Sequence, residues 1–467
     1  MLEHASCALF LDPGLGKTAI GLSAFQKLKQ DGVATKCLVV APLQVAGTVW
    51  PTELTKWSQF KDLKLAVLHG PNKDDLLKSD ADIFVINYEG LEWLIRPTKT
   101  KSPTGKVKIK VDMKRWYALG FDTLIIDELS KLKHTNTNRF KMLKLVAESF
   151  ARRWGFTGSP AANGLIDLFG QCYILDQGRT LGSYITKYLG TYFDQHPSGF
   201  GWVLKQGAEA QIYERVKPLA LRMSATDYLD MPQMITNTIL LKLPPKVAKI
   251  YSTIEDDLIA KIDDKTITAA NAAVASGKLR QIANGGIYLT PEVVAMAILP
   301  KSEREWLNLH TEKVDALSNL IDELQGEPIL VAYDFEHDLD RLKAAFGDDI
   351  PVIGGGINPA KTKTLIAQWN DGQLPFIFAH PQSAAHGLDG LQMRGRHVCW
   401  YSLTWSYELY DQFNRRILRQ GNTGVSVTIH HLVMDNTIDQ IILTALSGKK
   451  KVQDELFAAL KAKRRKH

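Results

Sequence analysis

Ala8-Leu9-Phe10-Leu11 is followed at once by Asp12-Pro13-Gly14-Leu15-Gly16-Lys17-Thr18, and then by a segment whose apolar residues recur at helical spacing. A buried strand, a glycine-rich turn and a helix opening on Lys-Thr form the context that a phosphate-binding loop requires. Gly14 and Gly16 let backbone N–H groups turn inward toward a phosphate chain, and the start of the helix adds its positive dipole end. Lys17 is then placed to reach the β- and γ-phosphates of a nucleoside triphosphate, and Thr18 to hold Mg²⁺. Leu11 stands where the usual pattern has its first glycine. The competing interpretation is a strand–helix turn that happens to end in Lys-Thr.

Such a loop needs an acidic partner at the end of another buried strand. Thr123-Leu124-Ile125-Ile126-Asp127-Glu128 supplies it, 127 − 17 = 110 residues beyond Lys17. An apolar run ending in two carboxylates sets them at the carboxyl edge of a sheet, where ligands bind in open α/β folds. Asp127 would position Mg²⁺, and Glu128 would orient and deprotonate an attacking water.

Outward from these two points the first 160 residues alternate apolar and amphipathic runs. Strands are expected over 8–11, 37–41, 65–69, 83–87, 123–126 and 153–157, with helices over 17–28 and 140–150. The alternation argues for a parallel sheet covered on both faces. It lapses between about 180 and 310, which reads as mainly helical, and returns from about Lys313. The expected organisation is an α/β unit over 1–175, a mainly helical inter-lobe region over 176–310, a second α/β unit over 311–447, and a basic C-terminal helix and tail over 448–467.

Composition narrows the class. A chain of 467 residues with 45% hydrophobic and 23% charged residues is an ordinary globular chain, not a disordered or fibrous one. No apolar run reaches the roughly 18 residues that span a bilayer. Met1 is not followed by a basic and then an apolar stretch, so neither a membrane segment nor a secretory leader is expected. Cys7, Cys37, Cys172 and Cys399 lie far apart with no Cys-x-x-Cys pair, as expected of small buried residues in a reducing compartment. The 57 basic and 50 acidic residues leave a net charge of +7, which permits a polyanionic partner without demanding one.

In the second α/β unit, Gln412-Phe413-Asn414-Arg415-Arg416-Ile417-Leu418-Arg419-Gln420-Gly421 is expected to be helical through Leu418, with Gln412, Arg416 and Arg419 on one face. Two arginines aimed across a cleft stabilise charge developing on a γ-phosphate. The bland alternative is a solvated basic helix.

Taken in order, these segments resemble the SWI/SNF family of DNA-dependent ATPases within helicase superfamily two. The first unit carries the loop Asp12–Thr18, then Val39-Val40-Ala41-Pro42 leading to Trp50, Glu53 and Trp57. Ile86-Asn87-Tyr88-Glu89, Asp127-Glu128-Leu129-Ser130 and Phe156-Thr157-Gly158-Ser159-Pro160 follow. Leu279-Arg280-Gln281-Ile282-Ala283-Asn284 lies between the units, and Lys313-Val314-Asp315-Ala316-Leu317, His386-Gly387-Leu388 and 412–421 lie in the second. The resemblance implies two RecA-like parallel-sheet lobes joined by a mainly helical insertion, with ATP and Mg²⁺ as ligands. It implies that Gly387, Asp389 and Gln412 join the nucleotide site, and that Thr157 and Ser159 couple nucleotide state to lobe movement. It sets Pro42, Tyr88 and Thr157 toward the nucleic acid. Basic side chains grip phosphates without reading sequence, and the candidates for such contacts are Lys278 and Arg280, Arg394 and Arg396, and the basic residues of 449–451 and 463–466. Trp50 and Trp57 are expected in a core stripe.

The family reads adenine through a glutamine-bearing segment upstream of the loop, whereas here only Met1–Phe10 come before it. Its Gly-hydrophobic-Asn-Leu element appears as Gly387-Leu388-Asp389-Gly390. The compact layout resembles prokaryotic or phage members. The expected function is an ATP-driven, sequence-nonspecific motor on double-stranded DNA, monomeric and cytoplasmic, with room for an unidentified protein partner. The alternatives are a strand-separating DNA or RNA helicase, a nuclease-coupled motor, and a nucleic-acid-binding scaffold that has lost turnover.

Overall fold

The apolar runs of the N-terminal half become parallel neighbours in one sheet. A computed structural model describes residues 1–101, 107–195, 201–263, 269–288, 306–354, 359–384 and 390–461. The chain divides into two units, Met1–Leu229 with Lys449–His467, and Asp230–Gly448.

Among the described residues the first unit contains strands β1 (Ser6–Leu11), β2 (Cys37–Ala41), β3 (Leu65–Val67), β4 (Ile83–Asn87), β5 (Thr123–Asp127), β6 (Arg152–Thr157) and β7 (Ala220–Met223) in one seven-stranded sheet, ordered β7-β1-β6-β5-β2-β4-β3. Every pairing in it is parallel. Strands β2 and β5 are buried along their whole length, as expected of a parallel sheet covered on both faces. One core packs on each face: Phe25, Trp50 and Phe156 on one side, Phe84, Trp116 and Phe169 on the other. Trp57 departs from its expected place. It is 44% exposed, with its indole N–H donated to Glu53 rather than buried in the core.

The second unit repeats the plan. Strands β8 (Gln233–Leu241), β9 (Ile329–Ala332), β10 (Val352–Ile353), β11 (Phe376–Ala379), β12 (His397–Trp400) and β13 (Ser426–Met434) form a six-stranded parallel sheet ordered β8-β13-β12-β9-β11-β10. The architecture is thus α/β with two parallel-sheet lobes.

The units divide at Leu229–Asp230, inside the stretch expected to be a separate helical region over 176–310. That stretch does hold helices Ile185–Tyr192, Ala208–Val216, Pro245–Asp263 and Ala269–Asn284. It also supplies an edge strand to each sheet, β7 to the first and β8 to the second. Both were overlooked because an edge strand pairs on one side only and tolerates polar residues such as Arg222, Gln233 and Asn237. The C-terminal helix runs Ile438–Lys461. Within the basic C-terminal helix, Lys449 donates to Asn163 Oδ1 at 3.4 Å. Lys463 to Lys466 lie outside the described residues. Among the described residues no helix is long and apolar enough to cross a membrane. All four cysteines are buried free thiols.

Burial pushes three histidines of the second unit, His310, His430 and His431, down to about 4. Such groups are neutral in the fold and take up protons on unfolding. Their stabilising effect is therefore complete above pH 6.5 and is lost as pH falls toward 4. Acid melts of the whole chain are expected to show the second unit losing about 3 kcal/mol per histidine across that window. A melting temperature flat from pH 6.5 to 4 would refute this.

Candidate functional site

The glycine-rich turn expected to bind phosphate lies between the end of β1 and helix Lys17–Gln30. Gly14 and Gly16 adopt φ values of 91° and 71°, a left-handed backbone that other residues rarely adopt. A side chain on Gly16 would meet nothing within 4 Å, so its demand is conformational rather than steric. Lys17 Nζ donates to Leu11 O at 2.9 Å and to Asp12 O at 3.4 Å, so its ammonium is folded back over the loop. Thr18 sits in the first turn and is 9% exposed.

Sheet order brings the acidic pair to this loop. Strand β6 lies between β1 and β5, so the turn after β6 separates the phosphate loop from Asp127-Glu128. A Cβ on Gly158 in that turn would lie 3.4 Å from Leu11 O. Asp127 Oδ2 accepts the Trp50 indole N–H at 2.9 Å. Burial pushes the Asp127 carboxyl above its usual range, while the positive charge of Lys17 and the Trp50 donor pull it down. Lys17 and Asp127 therefore feel one another across the loop.

Glu128 takes φ 63° and ψ 62°, a left-handed conformation unfavourable for a side chain of this kind and a form of strain that clusters at working sites. Its Oε1 accepts from Ser130 Oγ and from Thr157 Oγ1, both at 2.7 Å. Thr157 Oγ1 in turn accepts from Ser159 N at 3.2 Å. Tyr88 closes the back of the site, its hydroxyl donating to Asp127 O at 2.9 Å and Glu128 O at 3.0 Å.

Asp12 plays a part that its place in the loop did not announce. Its Oδ1 pairs with Arg222 Nη2 at 2.7 Å, both side chains being 4% exposed, and its Oδ2 accepts from Ala225 N at 3.0 Å and Ser224 Oγ at 3.3 Å. Arg222 also donates to Phe10 O at 2.9 Å and Met223 O at 2.6 Å. Sequence reasoning missed Arg222, which lies 222 − 12 = 210 residues from its partner, and the role of the Trp50 indole. No local signal marks either. Beside the loop, Leu9, Leu11, Ile20, Leu221 and Met223 line an apolar cavity of about 520 Å³.

The donor set suits a triphosphate with Mg²⁺. Thr18 and Asp127 offer hard oxygen ligands, Lys17 a cation for the phosphates, and the left-handed glycines the backbone N–H groups of an anion cradle. Among the described residues no group of three or more His, Cys, Asp and Glu could hold a metal alone.

The nucleic-acid candidates fall mostly inside the units. Pro42, Tyr88 and Thr157 are buried, the last two with hydroxyls committed to Asp127-Glu128. Arg280 is partly buried, paired with Asp334, and donates to Leu403 O at 2.6 Å. Lys278 is partly exposed.

The expected helix over 407–418 stops at Asn414, so Arg416 and Arg419 stand in turns and do not share a helical face with Gln412. The Asn414 Oδ1 accepts from Trp400 Nε1 at 2.9 Å, and Asn422 Nδ2 donates to Ile417 O at 3.0 Å, holding the turn. Gln412 is buried, and Arg416 Nε donates to Gln412 O at 3.3 Å. Gly387 and Asp389 lie outside the described residues.

The SNF2-related domain matches residues 2–285. Protein p41 of Acyrthosiphon pisum secondary endosymbiont phage 1 is 33% identical over 96% of this chain and 94% of its own length. The human DNA annealing helicase and endonuclease ZRANB3 is 23% identical over 99% of this chain, which spans 40% of that protein's length. Among solved structures, the Sulfolobus solfataricus SWI2/SNF2 ATPase core in complex with dsDNA is 20% identical, with a TM-score of 0.40, covering 97% of this chain and 89% of that one.

Proposed function

The chain belongs to the SNF2-related family, and from that we propose that it is a DNA-dependent ATP hydrolase whose two units work on one nucleotide to move along double-stranded DNA without sequence preference. The observation that carries this is the mutual setting of Lys17, Asp127 and Glu128 at the carboxyl edge of one sheet. Lys17 would leave the Leu11 and Asp12 carbonyls for the phosphates. Thr18 and Asp127 would hold Mg²⁺, which supplies charge neutralisation on the phosphates when bound. Glu128, fixed by Ser130 and Thr157, would align a water and take its proton. Gly387, Asp389 and Gln412 would contribute from the second unit, together with Arg416 and Arg419, whose charge would meet the γ-phosphate.

DNA enters this proposal through the family and through ZRANB3, which is named for action on DNA. Basic side chains grip phosphates without reading bases, so the grip would be nonspecific. We propose a monomer, and the similarity to a phage protein supports work in the cytoplasm of a bacterial or phage-infected cell.

ATP turnover with duplex DNA, single-stranded DNA, RNA or no nucleic acid tests the function. Stimulation by duplex above all others is expected. Preference for single strands would favour a strand-separating helicase, and no turnover at all a silent scaffold. Replacing Arg416 with Ala should lower turnover by on the order of 10³-fold while ATP affinity falls only a few-fold. Equal losses in both would remove Arg416 from the transition state.

A further inference from the structure

Arg222 lies 229 − 222 = 7 residues before Leu229, where the N-terminal stretch of the first unit ends, and Asp230 opens the second. The residues between them do more than connect. Ala225–Asp227 forms a short helical turn, closed by Tyr228 N to Ala225 O at 3.1 Å and Leu229 N to Ala225 O at 2.8 Å. That turn is fastened to the phosphate loop at several points. Asp12 takes Arg222, Ser224 Oγ and the Ala225 amide on one carboxylate. Arg222 reaches back to the Phe10 carbonyl. Leu229 approaches the loop at Gly14, where a Cβ would lie 4.0 Å from its Cδ1.

We infer that Arg222 is a positioning residue that latches the phosphate loop to the first turn of the inter-unit connection, so that loop occupancy and the order of 224–229 form one equilibrium. The inference rests on the ATPase function proposed above and adds to it a route out of the site. Asp12 is held through both its main chain and its side chain. Its backbone O accepts from Lys17 Nζ and from Leu15 N, both at 3.4 Å, its N donates to Met223 O at 3.4 Å, and its carboxylate holds the connection. A nucleotide that draws the Lys17 ammonium onto phosphate removes one of these main-chain bonds and shifts the loop around Asp12. The buried charge pair cannot yield without leaving a charge unpartnered in the interior, so the loop's movement passes to Ser224 and Ala225. By linkage the converse holds, and movement of the second unit that pulls on 224–229 alters the loop's affinity for nucleotide.

Hydrogen exchange on the full chain tests this, with and without a non-hydrolysable ATP analogue. Because Arg222→Met alone leaves Asp12 as an unpaired buried charge, the deciding variant is the neutral pair Asp12→Asn with Arg222→Met, and Arg222→Lys serves as the conservative control. Without nucleotide, amides over 224–229 should exchange roughly tenfold faster in the double variant, the size of one lost charge-assisted hydrogen bond. Exchange in β5 should be unchanged, and Arg222→Lys should recover part of the protection. With the analogue, wild-type 224–229 should change its exchange rate, whereas the double variant should respond over 13–18 alone. Equal nucleotide-free exchange over 224–229 in wild type and double variant would overturn the latch, as would the same analogue response in both. A wild-type chain that binds no nucleotide would instead sink the ATPase function, and the nucleotide-free comparison would still decide the latch.

Discussion

Glu128→Gln is expected to lower ATP turnover by on the order of 10²–10⁴-fold, the range for losing a positioned general base. Nucleotide affinity and thermal stability should stay close to wild type. The geometry makes this substitution a clean one. Glu128 Oε1 accepts from the Ser130 and Thr157 hydroxyls, and a glutamine amide oxygen can accept from both. The backbone at φ 63° is equally costly for Gln and Glu, so the local fold has no reason to shift. What Gln lacks is a carboxylate that can take a proton from water. Turnover measured beside binding of a fluorescent nucleotide checks the split. Turnover within tenfold of wild type would assign the base elsewhere. Equal loss of binding would mean that Glu128 is structural.

The second large effect concerns stability. Asp439→Ala should destabilise the second unit by about 3–5 kcal/mol, the cost of breaking a buried pair from one side. Lys313 Nζ lies 2.8 Å from Asp439 Oδ2, with side-chain exposures of 0% and 2%. The same ammonium donates to Asn284 Oδ1 at 2.9 Å and to Tyr401 O at 3.1 Å, which ties helices Glu312–Glu323 and Ala269–Asn284 to the end of β12 and the start of helix Ile438–Lys461. Without Asp439 a full positive charge is left in the interior beside two neutral acceptors. Lys313→Met with Asp439→Asn removes both charges and should cost far less. Urea unfolding of the single and double variants makes the comparison. A double variant as unstable as the single one would show that packing, not charge, sets the loss.

The strands β2, β4 and β5 were legible because parallel strands buried on both faces leave unbroken apolar runs, as Cys37–Ala41 and Thr123–Asp127 do. Edge strands β7 and β8 escaped because one open side relaxes that demand, and in β8 most side chains are exposed. The helix expected to reach Leu418 failed for a tertiary reason. Ile417 and Leu418 continue a helical pattern, but the Trp400 indole takes the Asn414 side chain and Asn422 braces the Ile417 carbonyl. Periodicity reports which faces are apolar, not which side chain will capture a helix end.

The glycine-rich turn and the acidic pair of the candidate site were written in the chain itself. Their chemistry lies in residues adjacent along the backbone, and the left-handed turns at Gly14 and Gly16 follow from short-range sterics. The pairings that make those pieces a site were decided only in three dimensions: Asp12 with Arg222, Asp127 with Trp50, Glu128 with Thr157. Each joins residues far apart in sequence whose meeting depends on strand order, with β6 between β1 and β5 and β7 outside β1. That order is set by how whole faces bury together, which no short stretch of sequence contains.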